Sequence, residues 1–256
     1  MPTLWLLASF LALFIALPSV LLLSWALRPG FVETLLSEAS LQALRVSLVT
    51  TSISLLVIIT LGTPLAYVLA RKRNVWTRFL GLWLDVPLVL PPVVAGVGLL
   101  LALGRRGVLG GWLEPLSLAF SPTAVILAQV FVASPLYVRS LKAGFASVHD
   151  DLEASATTLG ASPWQVFWHV TLPLARPALV EGSLLAWARA AGEFGATLVF
   201  AGNLAGRTRT LPLAIYTTLE RDLDSALHLA AVQTLLAFVF LGVVKWLSAA
   251  KRLQKK

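Results

Sequence analysis

A chain of 256 residues that is 58% hydrophobic and only 12% charged, with a mean hydropathy of +0.85, lacks the solvating surface of a water-soluble enzyme, since soluble domains carry about 25% charged residues. The formal net charge of +8 would suggest nucleic acid if the basic residues formed a patch, but they sit at the ends of apolar runs, where anionic headgroups account for them. The absence of cysteine excludes disulfides and thiolate metal sites.

Apolar runs of about 20 residues match the hydrocarbon core at the helical rise. They predict an all-α integral membrane protein with six spans: Leu4–Leu27, Leu44–Ala70, Leu80–Leu103, Ala119–Ser140, Ala178–Ala201 and Ala226–Leu247. The first ends in Ser24-Trp25-Ala26, which resembles a cleavage site. It has no basic start, and its run exceeds a signal-peptide core, so it reads as a retained helix. Segments 46–67 and 225–244 carry no Asp, Glu, Lys or Arg. The basic loop Arg71–Arg78 follows the second span. In the third, Pro87, Pro91 and Pro92 free backbone groups that lipid cannot satisfy, which makes it either a gating helix or one with a packing kink.

Between the fourth and fifth spans lies one long segment, Leu141–Pro177. Asp150 is the expected cap of a short helix, with Glu153 reaching back from its third position, Leu152, Ala156 and Leu159 at helical spacing, and Gly160 as the stop. Ser162-Pro163-Trp164-Gln165 opens a second helix with its own capping pair, and Leu172-Pro173 should end it. Such a hairpin either rests on lipid headgroups or docks in a protein groove. The acidic start and the small residues Ala154, Ser155 and Ala156 favour docking.

The fifth span holds Arg189 and Glu193, one helical turn apart. A charge at bilayer depth costs at least about 2.5 kcal/mol and needs a partner or a wet cavity. Two readings stand together: a neutralised pair that locks the bundle, or an arginine on an anion's pathway held by the glutamate. Ala188, Gly192, Gly195 and Ala196 suit close packing at a subunit interface. With both termini inside, twelve Lys and Arg residues face the cytoplasm and seven face outward, most of the bias lying in Arg71–Arg78 and the tail Lys251–Lys256. No glycine precedes a lysine, so no phosphate loop is present. His149, His169 and His228 have no metal-ligand spacing, and no nucleophile motif occurs, so no catalytic residue is assigned.

Residues 153–160, Glu-Ala-Ser-Ala-Thr-Thr-Leu-Gly, followed by Val170-Thr171-Leu172-Pro173, resemble the EAA loop of ABC-importer permeases, with Ser155 where a second alanine is usual. The resemblance implies a type I importer permease fold in which Glu153, Ala154, Gly160, Leu172 and Pro173 form the loop that couples to an ATPase. Residues 87–96 with 104–107, and residues 188–197 with 209–212, look like stretches of molybdate permeases. The likeness runs from about Leu41 onward. It implies an N-terminal helix and outer loop at 1–40, a permease core at 41–250 with its coupling loop at 141–177, and a basic tail at 251–256. It further implies a multi-pass protein of the cell (inner) membrane, a homodimer surrounded by lipid, without nucleic acid. Two ATP-binding cassette subunits would hold ATP and Mg, this chain holding no cofactor. A periplasmic or lipid-anchored binding protein would deliver the oxyanion. Sulfate, thiosulfate and tungstate share the charge and shape of molybdate and remain alternatives. A secondary transporter would need internal repeats, and none is visible.

Overall fold

The computed structural model describes residues 1–113 and 118–253, and every regular element among them is helical. Two compact units emerge, one of Met1–Ser47 with Asn203–Val243 and the other of Leu48–Gly202 with Val244–Lys256. Among the described residues, four helices are long and apolar enough to cross a membrane, and a bent pair counted as one makes a fifth. Lys255 and Lys256 of the expected basic tail lie outside the described residues.

In the first unit, α1 (Pro2–Trp25) turns almost its whole apolar surface outward and buries none of its apolar window within the chain. Next come α2 (Phe31–Leu36) and the start of α3 (Glu38–Arg71). His228 is buried, edge-on to Trp25 and Phe31, with Nδ1 3.2 Å from the Thr34 hydroxyl. It is an internal packing residue and not the loop or interface residue that a lone histidine suggests.

The second unit contains most of α3, then α4 (Val75–Val89), α5 (Pro92–Leu103), α6 (Gly110–Leu113) and α7 (Pro122–Ala146). Asn74 and Thr77 form a reciprocal cap at the start of α4. The expected single span Leu80–Leu103 is two helices. A residue before proline is pushed out of the helical region, and with Pro91 and Pro92 in succession both Leu90 and Pro91 are extended, at ψ 132° and 136°. At 15 and 12 residues, neither half reaches the length of an ordinary span.

Short helices α8 (Asp150–Thr158) and α9 (Pro163–Val166), a π turn at Phe167–Thr171 and α10 (Leu172–Leu174) lead to α11 (Arg176–Ala191) and α12 (Gly195–Ala201). α13 (Leu211–Leu219) and the first part of α14 (Leu223–Leu253) complete the first unit. Asp222 receives the backbone N–H groups of Asp224 and Ser225 at the start of α14. The Ser225 hydroxyl bound to it holds its carboxyl below the usual carboxylate range.

Burying leucine gains little where lipid is equally apolar, so close packing and side-chain hydrogen bonds must hold the helices together. α7 and α11 run antiparallel, with the Ser140 hydroxyl donating to Ala178 O at 3.0 Å. Tyr137, Leu141 and Phe145 of α7 pack with Ala186 and Ala190 of α11 and with Ile58, Ala66 and Leu69 of α3. Three buried polar residues join α3 to α7: Ser54 donates to Gln129 Oε1 at 2.8 Å, and Gln129 Nε2 donates to Thr51 at 3.3 Å.

Candidate functional site

The segment between α7 and α11 is a helical hairpin, as its caps predict, but its first cap differs from expectation. His149 is the N-cap, without a side-chain bond, and Asp150 is already helical. Glu153 does not reach back to the helix start. Its Oε1 accepts from the Arg71 guanidinium and, at 2.6 Å, from the Thr171 hydroxyl. A better partner outside the loop displaces the local cap: with both groups ionised, the bond to arginine also gains the attraction of opposite charges, which a backbone N–H does not offer. Arg71 also meets Asp150 at 3.1 Å.

Gly160 ends α8 as its position suggests. At φ +91° it is left-handed, Ala161 N–H binds Ala156 O at 3.1 Å, and Gly160 N–H binds Thr157 O at 2.9 Å. These two bonds are the Schellman pattern. The second helix starts as expected, with Ser162 and Gln165 exchanging side-chain bonds. Leu172-Pro173 does not end it. The π turn precedes it, with Leu172 N–H on Phe167 O, and the chain stays helical through Leu174. Proline can follow because it enters the first turn of a new helix, where its missing N–H costs nothing.

Ala154 and Ser155 are exposed, and Leu159 is 88% exposed. Glu153 and Ala156 turn inward. The hairpin thus presents a small-residue and leucine face left uncovered by the described residues, while its acidic anchor is tied to the helices behind it. His149 and His169 lie exposed beside it, His169 with Nδ1 3.0 Å from Gln165 O.

The second charged cluster sits where the fifth span breaks. α11 and α12 meet at a bend of 59°. Arg189 Nη1 lies 2.6 Å from Glu193 Oε2, as the four-residue spacing suggests, yet the pair is not on one helix face. Glu193 stands in the break after Gly192, and its Oε1 accepts the Ala196 N–H at 2.8 Å. One carboxylate therefore neutralises an arginine and satisfies the opening of α12. Glu193 is 1% exposed and the Arg189 side chain 30%.

The small residues around it divide. Ala188 and Gly192 are exposed, but Gly195 and Ala196 are buried inside the chain instead of lining an outer face. A Cβ added at Gly195 would stand 2.9 Å from Pro92 Cβ, and one at Gly96 would stand 2.9 Å from the Ala196 backbone. Pro92, at the start of α5, is thus brought against α12, while Pro87 lies within α4 and Pro91 caps α5. Sequence reading missed a further pair. Asp85 of α4 and Arg139 of α7 form a two-pronged bridge at 2.8 and 2.9 Å. They are 54 positions apart, so no local spacing signals their meeting. Among the described residues, no group of His, Asp and Glu could hold a metal.

Residues 59–253 match the family described as binding-protein-dependent transport system inner membrane component. The molybdenum transport system permease protein ModB of Mycobacterium tuberculosis is 46% identical over 233 residues, which is 90% of this chain and 88% of that protein. The protein of the same name from Escherichia coli K12 is 38% identical, covering 85% and 97%. The probable transport system permease protein NifC of Clostridium pasteurianum is 40% identical, covering 84% and 76%. Among solved structures, a bacterial ABC transporter involved in alginate import superposes with a TM-score of 0.71 at 19% identity, over 98% of this chain and 96% of that one. Another, bound to its alginate-loaded periplasmic protein, gives 0.73 at 18% identity, over 95% and 94%.

Proposed function

We infer the function of this chain from its membership of the family of binding-protein-dependent transport system inner membrane components, and propose that it is the permease subunit through which molybdate enters the cell. It is a multi-pass inner-membrane protein of the type I permease fold, a transport component and not itself an enzyme. The observation that carries the choice of cargo is that relatives named for molybdenum transport align with nearly the whole chain.

In the proposed mechanism, two copies of the chain face each other and two ATP-binding subunits dock inside. The hairpin of Glu153, Ala154 and Gly160, with Leu172 and Pro173 behind it, enters a groove of the ATPase. Its exposed small-residue face supports this role. ATP-driven closure would displace the hairpins and turn the pathway outward to receive the anion from an extracytoplasmic binding protein. ATP and Mg would belong to the ATPase. The broken helices at Pro91 and at Gly192–Phe194 supply jointed elements for gating, and Arg189 supplies positive charge. Type I importers resemble each other in fold whatever they carry, so selectivity would lie largely with the binding protein.

The test is ATP-dependent uptake by vesicles containing this chain with the ATPase and binding protein of the same genome. Molybdate should accumulate and tungstate should compete, while excess sulfate should not. Sulfate uptake at a comparable rate, or uptake that ignores ATP, would overturn the assignment.

A further inference from the structure

We propose that Arg71 is a positioning residue that ties the docking hairpin to the end of α3, so that hairpin displacement is delivered to that membrane helix. The proposal rests on the reading of the hairpin as the ATPase-docking element. Arg71 is the last residue of α3, and its side chain is only 18% exposed. One guanidinium reaches three points: Glu153, Asp150 at 3.1 Å, and Val148 O at 3.5 Å. Those contacts cross 77 to 82 positions of sequence, so no short stretch of chain duplicates them. The same Glu153 oxygen receives the Thr171 hydroxyl, which is fully buried in the π turn. Through one carboxylate, the end of α3, the first turn of α8 and the turn before α10 are joined.

Apolar contacts also bridge these elements, with Tyr67 edge-on to Phe145 and Phe167. Ring contacts hold the elements close in a preferred edge geometry, but they carry neither charge nor hydrogen-bond direction. A planar guanidinium bound to two carboxylates fixes direction as well as distance. The cation at the last turn of α3 also suits the helix dipole. The tie is therefore the element that keeps α3 from lagging when the hairpin is pushed.

The experiment compares wild type, Arg71→Met, which keeps the apolar stem, and Arg71→Lys, which keeps charge without the fork. Each is purified with the ATPase and measured in vesicles for ATP hydrolysed and molybdate taken up. Arg71→Met should co-purify with the ATPase and hydrolyse ATP, with ATP consumed per anion rising about tenfold, within the usual range of coupling between sites. Arg71→Lys should fall between. The chain has no cysteine, so Arg71→Cys with Asp150→Cys, which leaves Glu153 intact, can be joined by a short bis-thiol reagent. Joining should restore coupling without restoring charge, a response that a merely stabilising residue would not give. An unchanged ratio in Arg71→Met would overturn the proposal, as would equal loss of both activities unaffected by cross-linking. If Arg71→Met alone lost the ATPase, the residue would serve docking and the transmission role would be wrong. If wild type itself failed to bind the ATPase, the docking reading would fall first.

Discussion

The pairing of Arg189 with Glu193 predicts an asymmetry between their neutral variants. In Arg189→Gln, a carboxylate that is 1% exposed keeps only the Ala196 N–H. Removing one partner of a buried pair costs about 3–5 kcal/mol, because the other charge is stranded. In Glu193→Gln, the amide oxygen can still accept the Ala196 N–H, and the stranded guanidinium is 30% exposed where the carboxylate is 1%, so this should be the smaller of the two losses. A charge-swapped pair is a poor probe, since arginine at 193 has no acceptor for Ala196. The informative variant carries both Arg189→Gln and Glu193→Gln, which keeps that acceptor and strands nothing. Thermal inactivation of the purified complex should show the double variant more stable than the two single losses add to, by roughly 2–3 kcal/mol. Uptake and ATP hydrolysis, measured in parallel, then separate fold from function. If Arg189 meets the anion, the double variant assembles and hydrolyses ATP but transports poorly. Near-normal uptake by the double variant would make Arg189 purely structural, and equal losses in the two single variants would refute the burial argument.

Two other outcomes are expected. At Gly160 the obstacle to a side chain is backbone conformation and not space, because nothing stands within 4 Å of an added Cβ at φ +91°. Gly160→Asn should therefore retain uptake, while Gly160→Val, paying at least ~1–2 kcal/mol for the left-handed residue, should insert normally and lose it. Equal behaviour of the two would remove the turn from the coupling account. Arg73 is exposed and outside the Asn74–Thr77 cap, so Arg73→Cys tests topology without disturbing α4. It should resist an impermeant thiol reagent applied to intact cells, and labelling from outside would invert the orientation.

The legible parts were those written in local sequence. Charge-free runs gave the long spans, Ser162 to Gln165 gave a true capping box, and Gly160 gave a true stop. The four-residue spacing gave the Arg189–Glu193 contact. What escaped was set by residues far away in sequence. Glu153 leaves its helix start for Arg71, 82 positions distant. Asp85 finds Arg139 across 54, and Gln129 meets Ser54 across 75. Local rules cannot rank such partners against a nearby cap, because the choice depends on which helices pack together. The prolines marked the third span as irregular, but hydropathy alone made one helix of it, because it weighs side chains and ignores the backbone angles that consecutive prolines impose.

The two interrupted spans explain each other better than either does alone. A break at membrane depth exposes backbone donors and acceptors that lipid cannot satisfy. Here the start of α5, just after the Leu90–Pro91 break, packs directly on the start of α12, just after the break that holds Glu193. Pro92 contributes no donor at its helix start, and Glu193 takes up the Ala196 donor opposite. Gly96 and Gly195 let the two helices close without side chains between them. The interruptions are thus sealed by protein on the side where they meet, at the level of one charged pair. With no donor at Pro92 and the Ala196 donor taken by Glu193, the two breaks meet on a protein-packed side, where freed backbone groups at membrane depth have to find their partners.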